Sequence, residues 1–392
     1  MLRQVSIFIL AAMTLSGCSH FQFSGNEEGR GLILENSWAR DTTKKDFLGF
    51  RRMNRMTPVI SGDILIEANA IDGLLAYNRK TGIQLWRIDL MGGVEGGGQI
   101  AGDKFYFGAS DGTFYSVSVE TGKVEWTFSV RAETLAAPTV EAGVVYFQSG
   151  ADIVFALDAS TGKQLWTYNR QVTGSLSIRA TTRPVVAGEQ LLVGFSDGFF
   201  VSLKKRDGTL MWEKKLGKSN RFRDVDATPV VDGTSVYVAS FDAALYSLEL
   251  ESGETNWMIE GGGYLPVTPG QGAYSGELFY ATADGKILVV DKSNGKLARS
   301  IEVAHGIATQ PVLYRSYLIY GESEGAFVVA SPSDGRAIAK FYPGDGIVAK
   351  PALIESTAEA YFISTAAAVY ALRFNYFRPA ERLPLQEKPL SL

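Results

Sequence analysis

Apolar and polar positions along this chain fall into short runs rather than helical stripes. Val144-Val-Tyr-Phe-Gln148 and Ile153-Val-Phe-Ala-Leu157 are rich in β-branched and aromatic residues, and both are too short for a helix. Ser149-Gly-Ala-Asp152 turns the chain between them. Ala137-Pro-Thr-Val-Glu-Ala-Gly143 precedes them as a short strand and turn, and the Thr161-Gly162 turn leads on to Gln164-Leu-Trp-Thr-Tyr168. Four short strands joined by Gly- and Asp-containing turns predict one small antiparallel sheet. Alone it would leave both edges and one apolar face exposed, so it needs neighbours.

The chain supplies them by repetition. The stretch from Ala156 to Trp166 has counterparts at Asn78–Trp86, Ser118–Trp126, Lys205–Trp212 and Glu249–Trp257. Worn copies without the Trp stand at Asp291–Gly295 and Pro332–Gly335. The marker glycines fall at 82, 122, 162, 208, 253, 295 and 335, in steps of 40, 40, 46, 45, 42 and 40. A period of this size with strand-forming residues predicts a propeller or another closed repeat array. Asp-Gly pairs at 72–73, 111–112, 197–198 and 284–285 suit the middle hairpin turn of each unit. Trp86, Trp126, Trp166, Trp212 and Trp257 recur at one position, which predicts indoles buried between adjacent blades.

A second marker counts the blades. Pro58, Pro138, Pro184, Pro229, Pro269, Pro311 and Pro351 open units, and the second unit opens near Gly97 without one. There are thus eight starts, but the eighth unit runs out at Leu372 before a fourth strand. The missing strand is at the other end of the chain, where Glu35-Asn-Ser-Trp38-Ala-Arg40 has no unit in front of it. The expected fold is all-β: an eight-bladed β-propeller of four-stranded antiparallel blades over 35–372, closed by the N-terminal strand.

The flanks carry a different signal. Residues 1–17 hold Arg3 and an apolar run from Val5 to Leu15, the pattern of an export signal, too short to remain as a spanning helix. Leu15-Ser-Gly-Cys18 resembles the lipobox of bacterial lipoproteins, and Cys18 is the one cysteine of the chain. That resemblance implies lipidation at Cys18 as the mature N-terminus, and Ser19 after it implies sorting to the outer membrane, with the protein on its periplasmic face. Residues 18–34 then form a polar spacer and 373–392 a proline-containing tail. A single cysteine cannot form a disulfide within the chain. Charge narrows the partners further: 38 basic residues stand against 42 acidic, a net charge of −4. Losing Arg3 with the signal leaves 37 against 42, or −5, which argues against nucleic acid.

The two long steps, 46 and 45, put extra residues between units three and four and between units four and five. Both segments join an outer strand to the next inner strand, so both emerge on one face of the ring, a usual binding surface in repeat proteins. Leu176, Ile178 and Arg179 lie in the first segment, Asp224 and Asp226 in the second. Two readings stand side by side: these groups meet a partner, or Leu176 and Ile178 plug the channel mouth while Arg179 pairs with an aspartate inside the ring. The Asp197-Gly198 turn is assigned to the opposite face.

The Ala-x-Asp-x-x-Thr-Gly-Lys-x-x-Trp pattern at 156–166 resembles the tryptophan-docking repeat of pyrroloquinoline-quinone (PQQ) dehydrogenases. Together with the lipobox, the repeats, the length and the two long loops, the chain resembles the BamB family, lipoproteins of the outer-membrane β-barrel assembly machinery. In that family a Ser-Leu-Ser-Leu-Arg stretch and an Asp-Val-Asp stretch contact the barrel-inserting subunit BamA, and Ser175-Leu-Ser-Ile-Arg179 and Asp224-Val-Asp226 are the matching stretches here. The resemblance implies a non-catalytic scaffold that binds BamA and assists nascent β-barrel proteins, with no cofactor and no metal. The alternatives are a periplasmic scaffold for another envelope complex, or a quinoprotein-type enzyme. Against the enzyme, vicinal cysteines are absent, the repeats are near minimal in length, and neither His20 nor His305 has a catalytic or metal-binding spacing. The run Gly92-Gly93 and Gly96-Gly97-Gly98 lacks the Lys-Ser/Thr of a phosphate loop.

Overall fold

The computed structural model describes residues 31–44, 53–170, 182–219 and 223–377. Among these residues the chain forms eight four-stranded antiparallel sheets, arranged as an eight-bladed β-propeller. Blade three is representative, with strands Thr139–Glu141, Val144–Gln148, Ile153–Asp158 and Gln164–Asn169 hydrogen-bonded in sequence order. The first strand of each blade is the innermost, and the first strands of blades one to four lie beside one another along the ring axis. The second and third strands carry the core, including Phe105, Phe107, Phe147, Phe200, Tyr280 and Phe362, all buried. Outer strands alternate between exposed and half-buried positions because only one face of the last strand meets the next blade.

Blade eight is closed by the chain's other end. Its sheet runs Gly31–Asp41, Ala368–Phe377, Glu359–Ile363, Ala352–Ile354 from outside to inside. Antiparallel pairing extends from Gly31 opposite Phe377 to Asp41 opposite Ala368. The ring therefore spans 31–377, several residues longer at both ends than the 35–372 read from the repeat. Leu32, Leu34 and Phe374 extend the core there and pack with Ile338, Phe341 and Phe362 across the junction with blade seven.

Six junctions share one joint. A tryptophan on the outermost strand of one blade lies on the marker glycine of the next: Trp38 on Gly82, Trp86 on Gly122, Trp126 on Gly162, Trp166 on Gly208, Trp212 on Gly253 and Trp257 on Gly295. The glycine is required twice. Its φ is positive, and a β-carbon on Gly122 would stand 2.7 Å from the Trp86 indole. Each indole N–H donates to the carbonyl three residues before that glycine, for example Trp86 Nε1 to Val119 O at 2.9 Å and Trp38 Nε1 to Arg79 O at 2.7 Å. Only Trp38 and Trp86 are fully buried; Trp126, Trp166, Trp212 and Trp257 are half-buried, because one indole edge stays at the rim.

Blade six has no tryptophan, and two residues divide its task. Arg299 Nε donates to Pro332 O at 3.0 Å, again the carbonyl three residues ahead of the marker glycine, while Ile301 covers Gly335. Arg299 is held in place by a two-pronged ion pair with Glu277, both contacts 2.7 Å. Blade seven meets blade eight through aromatic packing instead, with Phe341 edge-on to Phe362 and Tyr370.

A bulge accompanies every tryptophan. In blade three the pairing passes from Ala156 opposite Trp166 to Leu157 opposite Gln164, skipping Leu165. The extra residue twists the outer strand and turns the indole toward the neighbour. It also leaves Leu85 and Leu165 on the surface, at 46% and 54% exposure.

Trp86→Ala removes a buried indole, its hydrogen bond and the cover over Gly122. It is expected to cost roughly 3–5 kcal/mol, read as a shift in denaturant midpoint. Trp166→Ala should cost visibly less because that indole is half-exposed, and equal losses would contradict the burial order.

Candidate interaction face

The connections between blades and the middle hairpin turns emerge on one face of the ring. Asp197-Gly198 joins the second and third strands of blade four, so it belongs to this face and not to the opposite one. Its contacts place it there: a β-carbon on Gly198 would stand 3.2 Å from the Arg223 carbonyl in the blade-four-to-five connection. Leu176, Ile178 and Arg179 fall outside the described residues. The structure does describe where the two long connections leave and rejoin the ring.

At the start of the first connection, Arg170 stands over the Phe199 ring, its guanidinium carbon 4.3 Å from the ring centre. Its Nη1 reaches Glu213 at 2.6 Å and its Nε pairs with Asp197. Two carboxylates and an aromatic face fix this side chain; burial lowers its proton affinity, but the Glu213 and Asp197 carboxylates outweigh it and push the value above the usual one for arginine. The connection rejoins the ring at Thr182, whose N–H donates to Gln148 Oε1 at 3.0 Å. Thr182 Oγ1 donates to Val225 O at 2.6 Å, in the middle of the second connection. The Gln148 amide in turn donates to Gly194 O at 3.0 Å. The two long connections are thus tied to each other and to blades three and four.

Asp224-Val225-Asp226 is the part of the second connection that this network seizes. Val225 N–H donates to Phe195 O at 3.2 Å, and Asp224 O accepts from Phe241 N–H at 3.0 Å. Asp224 is 0% exposed and Asp226 8%. They are buried beneath the face rather than presented on it, as the second of the two sequence readings, with an aspartate inside the ring, requires of them. Burial pushes the Asp226 carboxyl well above the ordinary range; the neighbouring Asp224 and Asp152 carboxylates add to the shift, and Arg55 opposes it. Burial also raises Asp152, against the hydrogen bonds from Ser196. Sequence reasoning missed Arg170, Asp152, Gln148 and Thr182. The one available signal was that Arg170 and Thr182 bracket the inserted segment.

The glycine run that could suggest a phosphate loop has another use. A β-carbon on Gly96 would lie 2.1 Å from the Leu135 carbonyl, so the run lets blade two approach blade three closely. Among the described residues no cluster of His, Cys, Asp or Glu could hold a metal ion, and no helix is long and apolar enough to cross a membrane.

A carboxyl whose folded value is raised contributes stability below its unfolded value, and that contribution is lost as pH rises through the folded value. Asp226 is such a group. Asp226→Asn should therefore melt above the parent at neutral pH, with the gap closing as pH falls toward the ordinary aspartate range. A variant that melts lower at pH 7 would show that the charged form is held by a counter-charge.

Relatives match this chain in sequence, and solved structures share its architecture. An outer membrane protein assembly factor BamB from Yersinia pestis is 27% identical over 338 residues, covering 80% of this chain and 85% of the relative. The crystal structure of BamB from Moraxella catarrhalis superposes with a TM-score of 0.74 at 19% identity, covering 87% of this chain and 100% of that one. Quinohemoprotein alcohol dehydrogenase from Comamonas testosteroni shares the fold at 13% identity and a TM-score of 0.70, covering 86% of this chain and 76% of its own. The profile of the family described as outer membrane protein assembly factor BamB matches residues 71–301, more than half of the 392 residues, and the chain belongs to that family.

Proposed function

We propose that this protein is a non-catalytic scaffold of outer membrane protein assembly that docks the barrel-inserting subunit BamA on the face carrying the two long connections. The family match carries the assembly role, since the relatives are named as assembly factors. What supports the face is the tie between its two connections. Thr182 and Val225 join them, so a partner that engages one engages a platform already braced by blades three, four and five. Asp224 and Asp226, being buried, form the floor of this platform and set the conformation of the contact loops from beneath. Leu176, Ile178 and Arg179 supply the contact itself: apolar burial for affinity and a planar guanidinium for register. Cys18 carries the lipid that holds the ring at the periplasmic side of the outer membrane, and the spacer to residue 34 overlaps the start of the closing strand. Exposed outer strands of the blades give nascent β-barrel strands a place to pair.

The paired change Leu176→Ala with Ile178→Ala, and separately Arg179→Ala, should abolish co-purification of BamA from detergent-solubilised membranes while leaving the melting transition in place. Lys163→Ala, in the Thr161-Gly162 turn on the opposite face, should leave binding intact. Retained binding in both loop variants would remove this face from consideration. Cys18→Ala should release the protein from the membrane fraction in cells lacking BamA contacts; continued partition with outer membranes there would refute the anchor.

A further inference from the structure

The ring axis holds a second feature that the docking role does not use. At the face carrying the inter-blade connections, the central channel opens into a cavity of about 470 Å³. The residue ahead of the unit-opening proline lines it in six blades: Thr57, Ala137, Arg183, Thr228, Gln310 and Lys350. Arg183 introduces blade four and Lys350 introduces blade eight. In a ring of eight these blades stand opposite each other, so two cations enter one cavity from opposite walls.

Neither cation has a counter-ion among the described residues. Arg183 donates from Nη2 to Gln99 Oε1 at 2.8 Å and from Nε to Thr139 Oγ1 at 3.1 Å, both neutral acceptors. Lys350 makes no hydrogen bond or ion pair with any described residue, and no Asp or Glu among them lines the cavity. The third cation of the lining, Arg55, is near enough to Asp226 for its charge to oppose the rise in that carboxyl's proton affinity. Burial lowers the proton affinity of Arg183 and of Lys350 alike, and the Arg183 charge lowers that of Lys350 further. Two half-buried like charges facing one cavity without a partner are costly, and one anion on the axis would offset both.

We propose that the channel mouth binds a small, doubly charged oxyanion of phosphate or sulfate chemistry between Arg183 and Lys350. The Arg183 fork, positioned by Gln99 and Thr139, presents its remaining N–H groups to two oxygens, and Lys350 closes from the other side as a point charge. Thr57 and Thr228 add hydroxyls to the wall. The cavity lies within the size range of small-ligand pockets. The bound anion would bridge blade four, which carries one end of each long connection, to blade eight, which the N-terminal strand closes.

The test is calorimetric titration of the full-length, detergent-solubilised protein with phosphate, then sulfate, at ionic strength held constant with chloride. The parent should show saturable binding of one anion per chain. Lys350→Gln should weaken it by about tenfold or more, the loss of one direct charge contact. Arg183→Gln should weaken it likewise, and Lys163→Gln, an exposed lysine on the opposite face, should leave it unchanged. In phosphate-free buffer Lys350→Gln should melt no lower than the parent, since it removes an uncompensated charge. Lys350→Met replaces it if the glutamine variant does not fold. Absence of saturable binding in the parent, or equal affinity in the folded Lys350 variants, would overturn the proposal.

Discussion

The ring depends on one contact, an indole laid flat on a glycine turn. Each such joint has an apolar half, the ring face against a turn with no side chain, and a polar half, the N–H to a carbonyl three residues upstream. The apolar half sets distance and the polar half sets orientation, so repeating both fixes the rotation from blade to blade. Trp38 makes the same joint from the N-terminal strand to Gly82, although the chain separates them from the last blade's other strands by the whole ring. Blade six shows that the two halves can be supplied separately, by Arg299 for the hydrogen bond and Ile301 for the cover.

This joint is also why the fold is legible in the sequence. At six of the eight junctions a tryptophan and a left-handed glycine recur at fixed spacing, and that recurrence marks the repeat. The orphan strand at Trp38 could be assigned to blade eight because it carries the joint's signature without a unit in front of it. What the sequence does not print is the bulge beside each tryptophan. Leu85 and Leu165 look like core residues by type, yet the pairing skips Leu165 and leaves both outside. Nor does it print how the last middle turn is held, where Ala366-Ala-Ala368 stands in place of Asp-Gly. There Ala367 takes a φ of 67°, and its carbonyl accepts from both Thr42 N–H and Thr42 Oγ1. Contacts with the closing strand's end hold a residue type that seldom adopts that conformation.

The interaction face was only partly legible. Step lengths reveal that the chain is longer between blades three and four and between four and five, because the other units keep time. They do not reveal which of the inserted residues face outward. Asp224 and Asp226 are buried because Val225 is gripped by Thr182 and Phe195, two partners distant in sequence. Arg183 and Lys350 are also invisible as a pair: they lie far apart in the chain, and only an eight-fold ring sets them opposite each other.

The central claim is that the ring is one mechanical unit, closed by the strand Gly31–Asp41, so that a face built on blades three to five depends on a junction across the molecule. Beyond Trp38, that junction is reinforced by Arg79 reaching Glu359 at 2.5 Å and by Arg40 Nε donating to Gly82 O at 2.8 Å. Hydrogen exchange on a chain lacking residues 31–41 tests this most directly. If the ring is one unit, amides in the second and third strands of blades four and five lose protection together with those of blade eight. Loss confined to blades eight and one, with blades four and five protected as in the parent, would contradict it.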